Sequence, residues 1–236
     1  MVLQLIQTKL GNGFGSSKVW RGVLASLALA GVLTAGAVTA EAQNTKLAAN
    51  APVTYDNRFE VYGGLNYMNF QAGQNLASKM NFGGAEFAGT YWFTNHLGAM
   101  LDYRGDAGTT AVFPTARQQP YSLSKPLVIM NTGMAGVQYR GPKNHYAAID
   151  YHALFGVGHG TFSESRHPNQ PDFYGVTGLY TDRTKPIGAA GASVDFNWSK
   201  NIAIRLQPDM IFEHFGTETR EFFSISGGVI YRFGKR

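Results

Sequence analysis

From Arg58 to Phe233, apolar and polar residues alternate with a period of two in eight successive runs, each of ten or more positions. A period of two belongs to the β-strand, whose successive side chains point to opposite faces. It predicts strands at 58–70, 80–93, 97–106, 126–140, 145–160, 186–198, 202–215 and 220–233. In the seventh run Ile202, Ile204, Leu206, Met210 and Phe212 share one face, and Arg205, Gln207, Asp209 and Glu213 share the other. The fifth sets Ile149, Tyr151, Phe155 and Val157 against Asp150 and His152; the third sets Leu97, Leu101 and Tyr103 against Asp102 and Arg104. Strands of soluble proteins most often have about 5–6 residues, whereas a tilted strand crossing a bilayer needs about 9–11. These runs have the longer length.

The connectors alternate as well. Those at 94–96, 141–144 and 199–201 are short, and those at about 71–79, 107–125 and 161–185 are long; the last, 216–219, breaks the pattern. Short turns on one side and long loops on the other are the wiring of an outer-membrane barrel, with the turns in the periplasm. The expected fold is therefore all-β: an eight-stranded antiparallel up-and-down transmembrane β-barrel at 58–236. A soluble barrel would carry a Lys- and Glu-rich exterior, which neither face of these runs supplies.

With the apolar face outward, the lumen holds Glu60, Glu86, Asp102, Asp150, Asp195, Asp209 and Glu213 against Arg104, Arg140, Arg205 and Arg232. Eight strands leave room only for side chains, so these groups are expected to form a paired ionic plug. Arginine suits that packing because its planar fork meets a carboxylate with two hydrogen bonds. The alternative is a narrow gated ion path along the surplus acids, with His152 nearby. Aromatics near strand ends (Tyr67, Trp92, Phe93, Tyr103, Tyr139, Tyr146, Trp198, Phe215, Tyr231 and Phe233) are expected to form interface girdles. Two residues fit poorly. Pro208 cannot donate to a ladder and implies a bulge, and Asn131 on the apolar face implies a register shift or an exit from the hydrocarbon.

Composition narrows the chemistry. Of 236 residues 15% are charged and 13% aromatic, with 29 Gly and no Cys. The missing cysteine excludes disulfide scaffolds, thiolate zinc sites and thiol catalysis. At the N-terminus Lys9, Lys18 and Arg21 precede the apolar run 22–37, and Ala40-Glu41-Ala42 supplies a small-x-small cleavage pattern. Residues 1–42 are therefore expected to be a cleaved signal peptide, followed by a polar leader at 43–57. Without Lys9, Lys18, Arg21 and Glu41, the chain's 20 basic and 15 acidic residues become 17 and 14, too even a balance to imply nucleic-acid binding. The best catalytic candidates are His159, Thr161, Ser163, Glu164, His167, Asp172 and Asp182 around the third long loop, a hydroxyl–imidazole–carboxylate set that could acylate or deacylate lipid. No spacing fixes them on one strand face, so no catalytic residue, cofactor site or metal site is expected. His145, His152 and His159 recur every seventh residue, which puts neighbours on opposite faces of a strand. The pairs Gly63-Gly64, Gly83-Gly84 and Gly227-Gly228 precede no helix and read as bends of a curved sheet.

Gly83-Gly84-Ala85-Glu86 with Tyr91-Trp92-Phe93, Ala153-Leu154-Phe155-Gly156, the run from Asp195 to Arg205, and Gly227 to Gly234 together resemble the small outer-membrane β-barrel family of the OmpA transmembrane domain and OmpX. The resemblance spans about 58–233. It implies insertion by the outer-membrane assembly machinery, a structural or surface-interaction role, and no cofactor. Family members often end on an aromatic residue, whereas here Gly234-Lys235-Arg236 follow Phe233, and no peptidoglycan-binding domain follows. The loop motifs of the lipid A deacylases and palmitoyltransferases are not matched. The expected protein is a monomeric outer-membrane barrel in contact with outer-membrane lipids, with loops 107–125 and 161–185 facing an extracellular partner of unknown kind.

Overall fold

The computed structural model describes residues 53–76, 78–118, 123, 125–162 and 173–235. The expected signal peptide, most of the leader, and Ser163, Glu164, His167 and Asp172 lie outside them. The described chain forms eight strands: β1 (Asn57–Phe70), β2 (Met80–Trp92), β3 (Leu97–Thr109), β4 (Leu127–Lys143), β5 (Ala147–Thr161), β6 (Arg183–Asn197), β7 (Ile202–Glu213) and β8 (Arg220–Lys235). Each pairs antiparallel with its neighbours in sequence, and β1 pairs with β8, so the sheet closes into a barrel without edges. Closure leaves no unpaired sheet edge, which a hydrocarbon environment requires.

The three short turns are fixed by side chains that mimic a backbone turn. Thr94 Oγ1 accepts from the Leu97 N–H at 2.8 Å, Asn144 Oδ1 from the Tyr146 and Ala147 N–H groups at 2.8 Å each, and Ser199 Oγ from the Ile202 N–H at 3.1 Å. They define a turn end, shared with both ends of the described chain. The four remaining connections define a loop end, where a 3-10 turn (Pro114–Arg117) and the short helix α1 (Phe173–Thr177) lie. Gly64 and Gly228 face each other across the β1–β8 seam, where a Cβ on either would run into backbone of the partner strand. That close approach is open only to glycine.

The bulge expected at Pro208 is absent, and of the two readings of Asn131 the register shift is absent. The β6–β7 pairs Gly191–Asp209 and Val194–Leu206 keep one register, so no residue is inserted at Pro208. The ladder is interrupted where Ala192 and Ser193 stand opposite Pro208 and Gln207, and the missing N–H is absorbed there without a bulge. At Asn131 the pairing is continuous on both sides, with Gly105 and His159. The register shift in β4 lies between Arg140 and Lys143, beside a turn.

Candidate functional site

The lumen is filled, and its filling changes along the axis. Nearest the turn end, Glu60, Asp150 and Asp195 interleave with Arg140, Arg205 and Arg232, all buried. Arg205 is bidentate to Asp195, through Nε at 2.7 Å and Nη2 at 3.0 Å, and reaches Asp150 at 3.2 Å. Arg232 bridges Glu60 at 2.9 Å and Asp195 at 2.8 Å, and Arg140 holds Asp150 at 3.2 Å and pairs with Glu60. Three carboxylates thus meet three guanidiniums in a closed, neutral ring. This is the condition under which buried charge is tolerated. The three carboxylates approach within 4.8 Å of one another, close enough to share a cation, but the arginines take those positions.

Aromatic rings cover this ring of charges. The Trp92 ring lies 3.9 Å from the Arg140 guanidinium, and the Tyr55 ring lies 5.1 Å from Arg140 and 5.2 Å from Arg232. Tyr55 belongs to the leader, where the sequence carries no periodicity. It sits at φ 55°, in the left-handed region that a tyrosine rarely adopts. Its hydroxyl donates to the Asn144 carbonyl at 2.8 Å and accepts from Asn197 Nδ2 at 2.6 Å, and Val53 and Ala148 pack beside it. Burial pushes the Tyr55 phenol above its ordinary pKa.

Farther from the turns the balance changes. Arg104 is held by Asp102 at 2.9 Å, Asp209 at 2.6 Å and, more loosely, Glu86 at 3.5 Å; His152 Nε2 lies 2.8 Å from Asp209. Gln207 donates to Glu86 at 2.8 Å and to Asp209 at 3.2 Å. Asp106 adds a further acid, tied to Asn66 at 2.9 and 3.0 Å and through Asn66 to Ser224. Four carboxyl groups therefore face one guanidinium and one imidazole. Gln138 extends the ring, donating to Asp150 at 2.9 Å and accepting from Thr90 at 2.6 Å. Asp106 was not among the residues expected in the lumen, although it shares the parity of Asp102 and Arg104. Glu213 stands apart: it accepts from the Phe215 N–H near the loop end and forms no ion pair among the described residues.

The loop-end half of the lumen is apolar, contrary to a wholly charged interior. Met68 and Phe70, Met80 and Phe82, Val128 and Met130, Ile211 and Phe222 point inward there. Ala72, Leu76, Val112, Ala116, Leu179 and Tyr180 close over them from the loops. The Tyr180 N–H donates to the Ala72 carbonyl at 2.9 Å, and the Phe113 N–H to Thr177 at 3.2 Å, so the loops bind one another across the mouth. The described parts of loops 107–125 and 161–185 thus spend apolar residues inward.

The exterior is apolar through its middle. Leu65, Phe87, Leu101, Phe155 and Val229 are each more than half exposed. The belt ends at the loop side on polar residues: Asn69 pairs with Asn81 across β1–β2, and Asn131, His159 and Thr184 are register neighbours across β4, β5 and β6. The Tyr67 hydroxyl donates to Asn81 and the Tyr103 hydroxyl to Asn131, each at 2.9 Å. Asn131 is therefore part of a polar rim, not a misfit. On β1 nine positions, Phe59 to Tyr67, lie below that rim, the length a tilted crossing strand needs.

Of the residues expected in the girdles, Tyr67, Phe93, Tyr103, Tyr139, Tyr146, Trp198, Tyr231 and Phe233 are exposed on the exterior. Trp92 and Phe215 are not; both are buried inside. Trp92 shares the inward parity of Glu86 and Thr90, and Phe215 packs on Phe70, Phe162 and Tyr180 under the loops. The turn-end exterior instead carries a ladder of rings, Tyr231–Phe233–Phe59–Tyr91–Phe93, with centroids 5.2 to 5.7 Å apart, and it crosses the β1–β8 seam.

The catalytic candidates that are described do not converge. His159 faces outward on the rim, 2.9 Å from Thr184, and Asp182 accepts from the Phe162 N–H at 2.5 Å.

No protein-family model matches this chain, and no curated protein does. Among solved structures it is similar to Ail, the attachment invasion locus protein of Yersinia pestis (19% identity, 75% of this chain and 99% of that one, TM-score 0.46). It is similar also to Neisserial surface protein A (13%, 74% and 97%, TM-score 0.49) and to the outer membrane protein OprG of Pseudomonas aeruginosa (10%, 78% and 99%, TM-score 0.47). Eight antiparallel strands that close on themselves in sequence order are an up-and-down barrel.

Proposed function

We propose that this chain is a non-enzymatic outer-membrane barrel with an envelope-structural or surface-interaction role, exported by a signal within residues 1–42 and working as a monomer surrounded by outer-membrane lipids. The observation that carries this reading is the inversion of faces: an apolar belt outside, bounded by a polar rim, and ten of the chain's arginines and acids buried in ion pairs with one another inside. In water such a molecule would expose its largest apolar surface and bury its charges; in a bilayer both terms reverse sign. The assembly machinery of the outer membrane is the partner this fold needs in order to insert.

The filling speaks for a plug. A conducting path would have to cross a neutral ion-pair ring and then an apolar half closed by the loops. The rival reading, a gated pore, draws on the four-to-one excess of carboxyl groups over guanidinium around Arg104. Detergent extraction from the outer-membrane fraction, with a heat-dependent shift in gel migration, tests the membrane reading; recovery in the soluble periplasmic fraction overturns it. Planar-bilayer recording on the same sample tests the plug, for which no steps are expected. Steps that change on Asp209→Asn would establish the pore. An unchanged lipid A acyl pattern in cells with and without the protein is expected of a non-enzymatic barrel.

A further inference from the structure

Between residue 52 and the first ladder pair of β1, the strap Val53–Asp56 folds back across the turn-end mouth of the barrel. Three features set it apart from the sheet it covers. Tyr55 is held at φ 55°, strained for any residue with a Cβ. Its side chain is held by hydrogen bonds of its hydroxyl with Asn144 and Asn197 and by ring contacts with Arg140, Arg232 and Lys143, and Val53 packs on Ala148. Beside it lies a cavity of about 260 Å³, lined by the strap together with Lys200, Asn201, Phe233 and Lys235. The ionic ring below is already complete, because each of its carboxylates has arginine partners without Tyr55.

We propose that Val53–Asp56 is a releasable stopper: docked, Tyr55 seals the ionic ring from water on the turn side; released, it opens the Arg140 and Arg232 guanidiniums to that side while the barrel stays folded. Strain at Tyr55 biases the segment toward release, and the hydroxyl and ring contacts bias it toward docking, which makes a two-state element. The lumen stays closed at its loop end in both states, so release exposes the ring without making a pore. The inference rests on the closed-lumen reading above.

The chain has no cysteine, so a single Ala148→Cys substitution gives one thiol directly beneath the strap. The refolded full-length protein in detergent is treated with a membrane-impermeant maleimide. With the native strap, labelling is expected to be slow but complete on long incubation. Asn197→Ala, which removes one hydroxyl partner, should speed it severalfold, and Tyr55→Ala at least tenfold, all with the heat-dependent gel shift retained. Tyr55→Phe, which keeps the ring, should fall between. Equal rates with and without Tyr55→Ala overturn the stopper, as does a thiol that never reacts in any folded variant. Loss of the gel shift in the unsubstituted chain would instead overturn the barrel reading itself.

Discussion

The Arg140 guanidinium lies 3.9 Å from the ring of Trp92, the strand-end tryptophan that the parity of β2 points into the lumen. An indole face attracts a cation most strongly where both are desolvated. Here it also covers a guanidinium whose Nη1 has no hydrogen-bond partner among the described residues. Trp92→Ala is expected to destabilise the folded barrel by about 3–5 kcal/mol, the usual cost of deleting a large buried side chain. Phe93→Ala on the exterior should cost clearly less. Urea titrations of both variants in the same detergent compare them, and equal losses would put Trp92 outside.

The two charged groups answer differently to neutralisation. Asp195→Asn removes a bidentate partner of Arg205 and a partner of Arg232 in a ring with no spare carboxylate. Leaving such a charge uncompensated costs about 3–5 kcal/mol. Glu86→Gln removes one of four carboxyl groups around a single guanidinium and leaves an amide of the same shape, so the expected change is below about 1 kcal/mol or stabilising. Unfolding midpoints of the two variants at one pH decide it.

The polar rim predicts where the bilayer ends. Leu65, 76% exposed, faces the middle of the belt. Leu65→Arg is expected to cost about 2–4 kcal/mol, as charge does at the bilayer midplane, and Asn131→Arg about 0–1 kcal/mol, as it does near the interface. Folding equilibria in liposomes measure both, and equal costs would remove the rim as a boundary.

Alkali should loosen the strap before it unfolds the barrel. Because burial raises the Tyr55 pKa in the folded state, docking favours the protonated phenol. Its contribution is complete below the ordinary tyrosine pKa of about 10 and is lost as pH rises beyond it through the raised folded value. The Ala148→Cys labelling rate, corrected for thiolate fraction, should climb above about pH 10. Tyr55→Phe should flatten that rise, since it has no phenol to ionise.

Much of this was legible along the chain because a strand encodes its faces in parity. The eight strands follow from alternation, and their wiring and the inward side of Glu60, Asp102, Asp150, Asp195 and Arg205 follow once strand length, connector length and the scarcity of Lys and Glu on either face are added. Trp92, Phe215 and Asp106 were legible in the same way: each continues the inward parity of its own strand. Residue type competes with parity at such positions, because an aromatic at a strand end also suits a girdle. At Asn131 an exit from the hydrocarbon was readable, but its rim neighbours His159 and Thr184 were not, because they come from other strands.

By itself, then, the order of residues determined a closed sheet of eight strands with its charges on one side and its apolar residues on the other, since side-chain direction in a strand repeats every second residue. Only the tertiary structure decided how that interior is partitioned. Which acid meets which arginine depends on the stagger between strands. That the loop end is apolar inside depends on loops folding back over it, and that Tyr55 closes the turn end depends on a backbone turn outside any periodic segment. Each joins residues far apart in the chain, whose meeting is set by closure of the barrel and by no local pattern.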